Sequence, residues 1–171
     1  MKGIRHLDED TAEIELTQGY WSRVDSWMLP ELRKYSWNLH QTKNRIYAKT
    51  QIAGRTVYMH RFIANAPADP KLVVDHKNGD GLDNRRSNLR IATWRQNAQN
   101  SRGASGRRKS AIRGVCKRNH PERPWRAYIY DLQGRFKQIG YYRSEPEAVA
   151  ARLEVESEMF GEFAYQCRKA A

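Results

Sequence analysis

Hydrophobic and polar positions change rhythm three times along the 171-residue chain. Between 13 and 64 the rhythm is that of strands. Tyr35-Ser36-Trp37-Asn38-Leu39 and Arg45-Ile46-Tyr47-Ala48 repeat every second residue, as half-buried strands do. Ala53-Gly54-Arg55 supplies a turn, and Thr56-Val57-Tyr58-Met59 reads as the strand beyond it. The run 60–66 predicts a short helix stopped by Pro67. From 71 to 101 the order is strand, turn, strand, helix. Leu72-Val73-Val74 and Leu89-Arg90-Ile91-Ala92 are the strands. Between them Asn78-Gly79-Asp80-Gly81 is a dense turn signal, because Asn and Gly tolerate positive φ. Thr93 and Gln96 form a capping box that puts Asn97 in the first helical turn. Three more strands are predicted at 112–117, 125–130 and 135–142, with Gln133-Gly134 turning into the last. A second capping box, Ser144 with Glu147, opens a helix whose stripe of Ala148, Ala151, Val155 and Met159 should face that sheet.

Charge changes the picture. The chain has 31 Lys and Arg against 19 Asp and Glu, a net +12. Residues 1–31 carry three basic groups against seven acidic ones, so the other 140 residues hold an excess of 16 positive charges. From Arg102 to Arg118 there are seven Lys or Arg and no Asp or Glu. Such density, interleaved with Trp and Tyr, attracts a polyanion, because each neutralised phosphate releases condensed counterions. Six glutamates crowd the last helix, which leaves the sheet and its edge loops as the basic side. With 39% hydrophobic residues the chain can build a modest core. No apolar run approaches the roughly 20 residues of a membrane helix, and the opening residues lack the apolar stretch of a secretion signal. A soluble, intracellular protein with no membrane partner is expected. Cys116 and Cys167 are too few for a four-cysteine zinc site or a disulfide framework.

The candidate chemistry sits in the middle segment. Asp75-His76 ends a strand, Asn84 and Asn88 precede the next, and Asn97 rides the helix. His76 and Asn88 are 12 positions apart, Asn88 and Asn97 nine. A hairpin followed by a helix brings those points together. A carboxylate and an amide oxygen are hard ligands suited to Mg2+ or Mn2+, and a neighbouring imidazole can take a proton from an attacking water. Those parts suffice to hydrolyse a phosphodiester. Adjacent residues on a regular strand face opposite ways, so Asp75 and His76 share one site only if the strand ends or bulges there. Arg85, Arg86 and Arg90 are candidate contacts to a nucleic-acid backbone.

Val74-Asp75-His76-Lys77-Asn78-Gly79-Asp80-Gly81-Leu82-Asp83-Asn84-Arg85-Arg86-Ser87-Asn88-Leu89-Arg90, continued by Thr93-Trp94-Arg95-Gln96-Asn97, resembles the core of HNH endonucleases, particularly phage homing endonucleases. The resemblance implies an α+β protein with a ββα-metal (His-Me finger) core and a β-rich N-terminal extension. It implies His76 as general base, Asp75 and Asn97 as ligands of a divalent metal (Mg2+ or Mn2+), and Asn88 as the residue holding the His-bearing loop. The motif reads H-N-N. Without a structural zinc, Trp94, Leu82, Leu89 and Ile91 are expected to hold the hairpin by packing.

Ile112-Arg113-Gly114-Val115, Pro124-Trp125-Arg126-Ala127, Ile139-Gly140-Tyr141-Tyr142 and Phe160-Gly161-Glu162-Phe163-Ala164 resemble the APETALA/ethylene-response-factor DNA-binding domain. That resemblance implies a three-stranded sheet packed on one helix, with Arg113, Arg118, Tyr128, Tyr130 and Gln138 facing duplex DNA. Lys117 and Arg126 join them by charge, as do Arg107, Arg108 and Lys109 of the linker. The expected organisation is a tail at 1–12, a nuclease domain at 13–101, a basic linker at 102–110, a DNA-binding domain at 111–164 and a tail at 165–171. The expected function is metal-dependent cleavage of double-stranded DNA, in the host cytoplasm for a phage protein. One site per chain nicks one strand, and a double-strand cut needs a dimer or two successive events. The alternative is a DNA-binding regulator on a decayed nuclease fold.

Overall fold

The computed structural model describes residues 3–43, 45–99 and 112–164. Packing divides the chain into two compact units, Met1–Trp94 and Arg95–Ala171. The division falls earlier than the composition shift at residue 102.

In the first unit, strands β1 (Ile4–His6), β2 (Thr11–Glu15) and β3 (Trp21–Asp25) form an antiparallel sheet in that order. Residues 4–6 and 11–12, expected in a tail, are therefore strand. Ile4 pairs with Ile14, and Glu13 binds both Arg5 and Arg23 within the sheet. A one-turn helix α1 (Leu29–Leu32) carries Pro30 in its first turn, where the missing N–H costs nothing. A second antiparallel sheet follows in the order β4 (Asn38–Gln41), β5 (Ile46–Ile52), β6 (Arg55–Tyr58), then the short helix α2 (Met59–Ile63). β4 starts three residues later than the alternation from Tyr35 suggested. Tyr35 and Trp37 alternate because they fill the core edge-to-face with Phe62, not because they lie in a ladder. Trp37 is fully buried, and its indole N–H donates to the Leu32 carbonyl at 2.9 Å. Strands β7 (Leu72–His76) and β8 (Leu89–Thr93) make an antiparallel hairpin, with Asp75 opposite Arg90 and His76 opposite Leu89. Helix α3 (Trp94–Gln99) follows β8 directly, and the boundary between the units lies inside it.

In the second unit, β9 (Val115–Lys117), β10 (Trp125–Tyr130) and β11 (Phe136–Tyr142) form an antiparallel sheet with β10 central. Helix α4 (Glu145–Phe160) packs on it around Val115, Ala127 and Ala148. Ser144 caps α4 by accepting the Glu147 N–H. Glu147 in return takes the Ser144 hydroxyl and the Arg143 N–H. The buried stripe of α4 is Ala148, Arg152, Glu156 and Phe160, every fourth residue, while Ala151, Val155 and Met159 are only half-buried. The helix is thus rotated from the apolar reading. Arg152 can face the sheet because Glu156, one turn on, accepts from its guanidinium at 2.7 Å, which neutralises both charges. Gly114 makes the room. At φ +87° it suits glycine alone, and a β-carbon there would collide with the Tyr128 carbonyl and the Arg152 side chain. Among the described residues no helix is long and apolar enough to cross a membrane.

Candidate active site

The β7–β8 hairpin owes its shape to its turn. Asn88 and Asn78 face each other across it. The Asn88 side-chain oxygen accepts the Asn78 N–H at 3.0 Å, and its amide donates to the Asn78 side chain at 3.0 Å and the Asp83 carbonyl at 2.7 Å. Asn78 also donates to the Asp83 carboxylate, which a bidentate Arg85 clamps from the other side at 2.8 and 2.9 Å. Burial alone would raise the Asp83 carboxyl, but the Arg85 bonds and charge outweigh it and hold it below its usual range. Of the four residues expected to pack the hairpin together, Leu89 alone is buried. Leu82 is half-buried, Ile91 is exposed, and Trp94 is 60% exposed. Hydrogen bonds of the turn, not an apolar plug, hold the hairpin. Gly81 lets the loop lie on β5, since a β-carbon would overlap the Ile46 carbonyl and the Tyr47 ring.

The same loop is laced to β3. Leu82 accepts the Arg23 N–H at 2.8 Å, and Arg23 accepts the Asn84 N–H at 2.7 Å, which amounts to a parallel bridge from Arg23 to Asp83. Ser22 sits beneath. Its hydroxyl lies 3.1 Å from the Leu82 carbonyl and 3.2 Å from the Met59 sulfur, and it accepts from the Asn84 amide at 2.8 Å. The Asn84 oxygen then meets His76 Nε2 at 3.2 Å. The ring of His76 lies over Tyr47 and meets the edge of His60 at 5.2 Å between centroids. Burial pushes the imidazole of His76 below its ordinary value, against the opposing bond from Asn84 and the carboxylates of Asp75, Asp80 and Asp83. His60 is lowered further, to about 3, by its own burial and by the charges of His76 and Arg61. Both rings are therefore neutral at neutral pH, the state a proton acceptor needs.

Asp75 and His76 face opposite ways on a strand that stays regular through both. Asp75 turns to Arg90, whose guanidinium gives two bonds to its Oδ2 at 2.6 and 2.8 Å, with both side chains buried. Arg90 is accordingly no DNA-backbone contact. Arg85 is engaged by Asp83, and Arg86 remains as an exposed cation of the hairpin whose backbone N–H binds Asp25. The first unit thus brings His76, Asn84 and Asn88 together, while Asp75 turns to Arg90 on the opposite face of β7. Asn97 rides α3, half-buried, in the second unit. Among the described residues no three His, Cys, Asp or Glu side chains gather as a metal cluster. Asn84 stood in the sequence motif without a role, and Ser22 carried no sequence signal because it lies 62 residues away.

In the second unit, Arg126, Tyr128 and Tyr130 alternate outward on β10 while Ala127 and Ile129 are buried. Gln138 stands opposite Tyr128, and Phe136, which the sequence reading missed, stands opposite Tyr130 and is 49% exposed. The Arg126 guanidinium lies 5.0 Å over the Tyr128 ring. Arg113 is exposed and donates to the Ala98 carbonyl; Lys117 and Arg118 are exposed. Arg107, Arg108 and Lys109 lie outside the described residues.

Residues 57–99 match the family model of the HNH endonuclease. The chain is also 30% identical over 145 residues to an uncharacterized HNH endonuclease of Acanthamoeba polyphaga mimivirus, covering 82% of this chain and 70% of that protein. No solved structure matches. The hairpin, its buried His76 and this relationship agree: the chain belongs to the HNH endonuclease family.

Proposed function

We propose that this protein is a metal-dependent DNA endonuclease of homing type, hydrolysing a phosphodiester of duplex DNA and nicking one strand per site. The observation that carries the reading is His76, a buried, neutral imidazole bonded to Asn84 beside a carboxylate on the same strand. In the proposed step the imidazole takes a proton from a water whose oxygen bonds to phosphorus. The bond from phosphorus to the 3′ oxygen breaks, and that oxygen leaves with a proton from solvent. The products are a 5′-phosphate and a 3′-hydroxyl. By the family resemblance, the Asp75 carboxylate would hold a magnesium ion, for which hard oxygen donors are suited. Bound there, the cation supplies charge stabilisation for the pentavalent phosphate. Arg90 fixes the orientation of the Asp75 carboxylate through two bonds to its Oδ2, and Asn88 keeps the turn that carries His76 closed.

The second unit would hold the duplex. Support comes from the likeness of 111–164 to APETALA/ethylene-response-factor domains and from the distribution of charge. Its three strands carry Arg and Lys and no carboxylate, while α4 carries five glutamates on the other side. Arg113, Lys117, Arg118, Arg126, Tyr128, Tyr130 and Gln138 are the proposed contacts there, with Arg86 of the hairpin.

Incubation of supercoiled plasmid carrying the native target with magnesium tests the reading. Wild type should yield open circles, and neither His76→Ala nor an EDTA-treated sample should. Linear product would point to paired cutting, and intact plasmid in all samples would favour the DNA-binding regulator.

A further inference from the structure

Two groups in the first unit surround His76 without touching any place a substrate could occupy. Asn84 has no exposed surface, and Ser22 has none either. Their hydrogen bonds nonetheless run in one direction only. The Ser22 hydroxyl has a single proton and lies 3.1 Å from the Leu82 carbonyl oxygen and 3.2 Å from the Met59 sulfur, neither of which can donate. If Ser22 gave its proton to Asn84 instead, its lone pairs would point at that carbonyl oxygen. The proton therefore goes to Leu82 or Met59, and Ser22 offers lone pairs to Asn84 at 2.8 Å. An amide that donates with its nitrogen presents its oxygen on the other side. That oxygen faces His76 Nε2 at 3.2 Å, so Nε2 must carry the proton.

We infer that Ser22 and Asn84 are positioning residues that lock His76 in its Nε2–H tautomer and so make Nδ1 the nitrogen that accepts the proton. The inference rests on the nuclease reading for its meaning but not for its test. It gives the N-terminal sheet a part in the chemistry. The loop is fixed to β3 through the backbone of Arg23, so a hydroxyl on the sheet orients an imidazole on the hairpin. The Ser22 side chain acts on the base only through Asn84. A neutral imidazole exchanges its proton between the two nitrogens freely in water, and only a fixed acceptor selects one. A base held in the wrong tautomer costs up to roughly 10^4-fold in turnover where this has been isolated in a hydrolase.

The test is nitrogen NMR of the full chain with 15N-labelled histidine at neutral pH, the His76 signals assigned against a His76→Gln variant. In wild type, long-range proton–nitrogen correlations should show Nε2 protonated and Nδ1 unprotonated. Ser22→Ala frees the Asn84 amide to turn over and should give a mixture of both forms. Asn84→Asp keeps an acceptor facing Nε2 and should restore the single form. A wild-type His76 protonated on Nδ1 overturns the inference, whatever the plasmid assay shows. A Ser22→Ala protein that folds and keeps the pure Nε2–H form removes Ser22 from it. A protein with the expected tautomer that cuts no DNA overturns the nuclease reading and leaves this one standing.

Discussion

Among the described residues the first unit buries ten polar side chains, from Thr11 to Arg90, whereas the second buries Arg152 and Glu156. In the first unit most of them serve one place: Ser22, His60, Asp75, His76, Asp83, Asn84, Asn88 and Arg90 all bond or stack within the hairpin and its supports. In the second, the pair lies under the sheet with one ion-pair bond joining them, and the polar and aromatic groups that could meet a ligand lie outside on the strands. A buried polar group is costly unless paired, so a network of them persists only where geometry must be held. A surface that meets a long polyanion needs charge and area instead. The contrast separates a unit that fixes one imidazole from a unit whose sheet carries its polar and aromatic groups on the outside.

The largest effect that would break this separation is catalytic. His76→Ala should lower cleavage by about 10^2- to 10^4-fold, as loss of a general base does. Its affinity for duplex DNA by fluorescence anisotropy should stay within about twofold of wild type. A comparable loss of binding would mean that the two tasks are not divided.

Next come the buried charges of the second unit. Arg152→Met removes the guanidinium from the buried Glu156 carboxylate and should cost about 3–5 kcal/mol of that unit's stability, whereas Arg152→Met with Glu156→Leu should be close to neutral. Urea denaturation followed on the amide signals of Ala127 and Ile129 reads this. If the double variant loses as much as the single, the pair does more than neutralise itself.

A smaller effect sharpens the account of the first unit. His60 titrates near 3 when folded and near 6.5 when unfolded, so between those values the unfolded chain binds more protons. Acidification through that window therefore favours unfolding. From pH 6.5 to 5 this one group should remove about 1.5 kcal/mol of stability. Denaturant titrations at the two pH values should show that loss in wild type and not in His60→Phe. An equal slope in both would mean that His60 reaches solvent.

The smallest effect belongs to the outer face of the sheet. Arg126→Ala should weaken duplex binding by about tenfold and reduce its salt dependence, as loss of a phosphate contact does. Anisotropy titrations at two salt concentrations check both. An unchanged affinity would move the DNA to another face.

Much of this was legible without coordinates. The turn at 78–81, the strands on either side, and the three strands and helix of the second unit follow from local signals. Turn residues, two-residue alternation and caps act over a few neighbours, so the sequence displays them directly. The stripe of α4 misled because apolarity is only a proxy for burial. Arg152 is inside because Glu156, one turn on, neutralises it. Tyr35 and Trp37 misled for a related reason, because alternation reports which side is buried and not which backbone groups are paired.

By itself the sequence determined which chemistry the protein can hold: an imidazole, a carboxylate and amides at fixed spacings, on a strongly basic chain. The tertiary structure alone decided how those groups are used. It turned Asp75 and His76 to opposite faces, took Arg90 from the DNA to Asp75, and set Ser22 against Asn84 across 62 residues. Such pairings are made by long-range contacts whose partners leave no periodic trace along the chain, and only the closed fold brings them within hydrogen-bond reach.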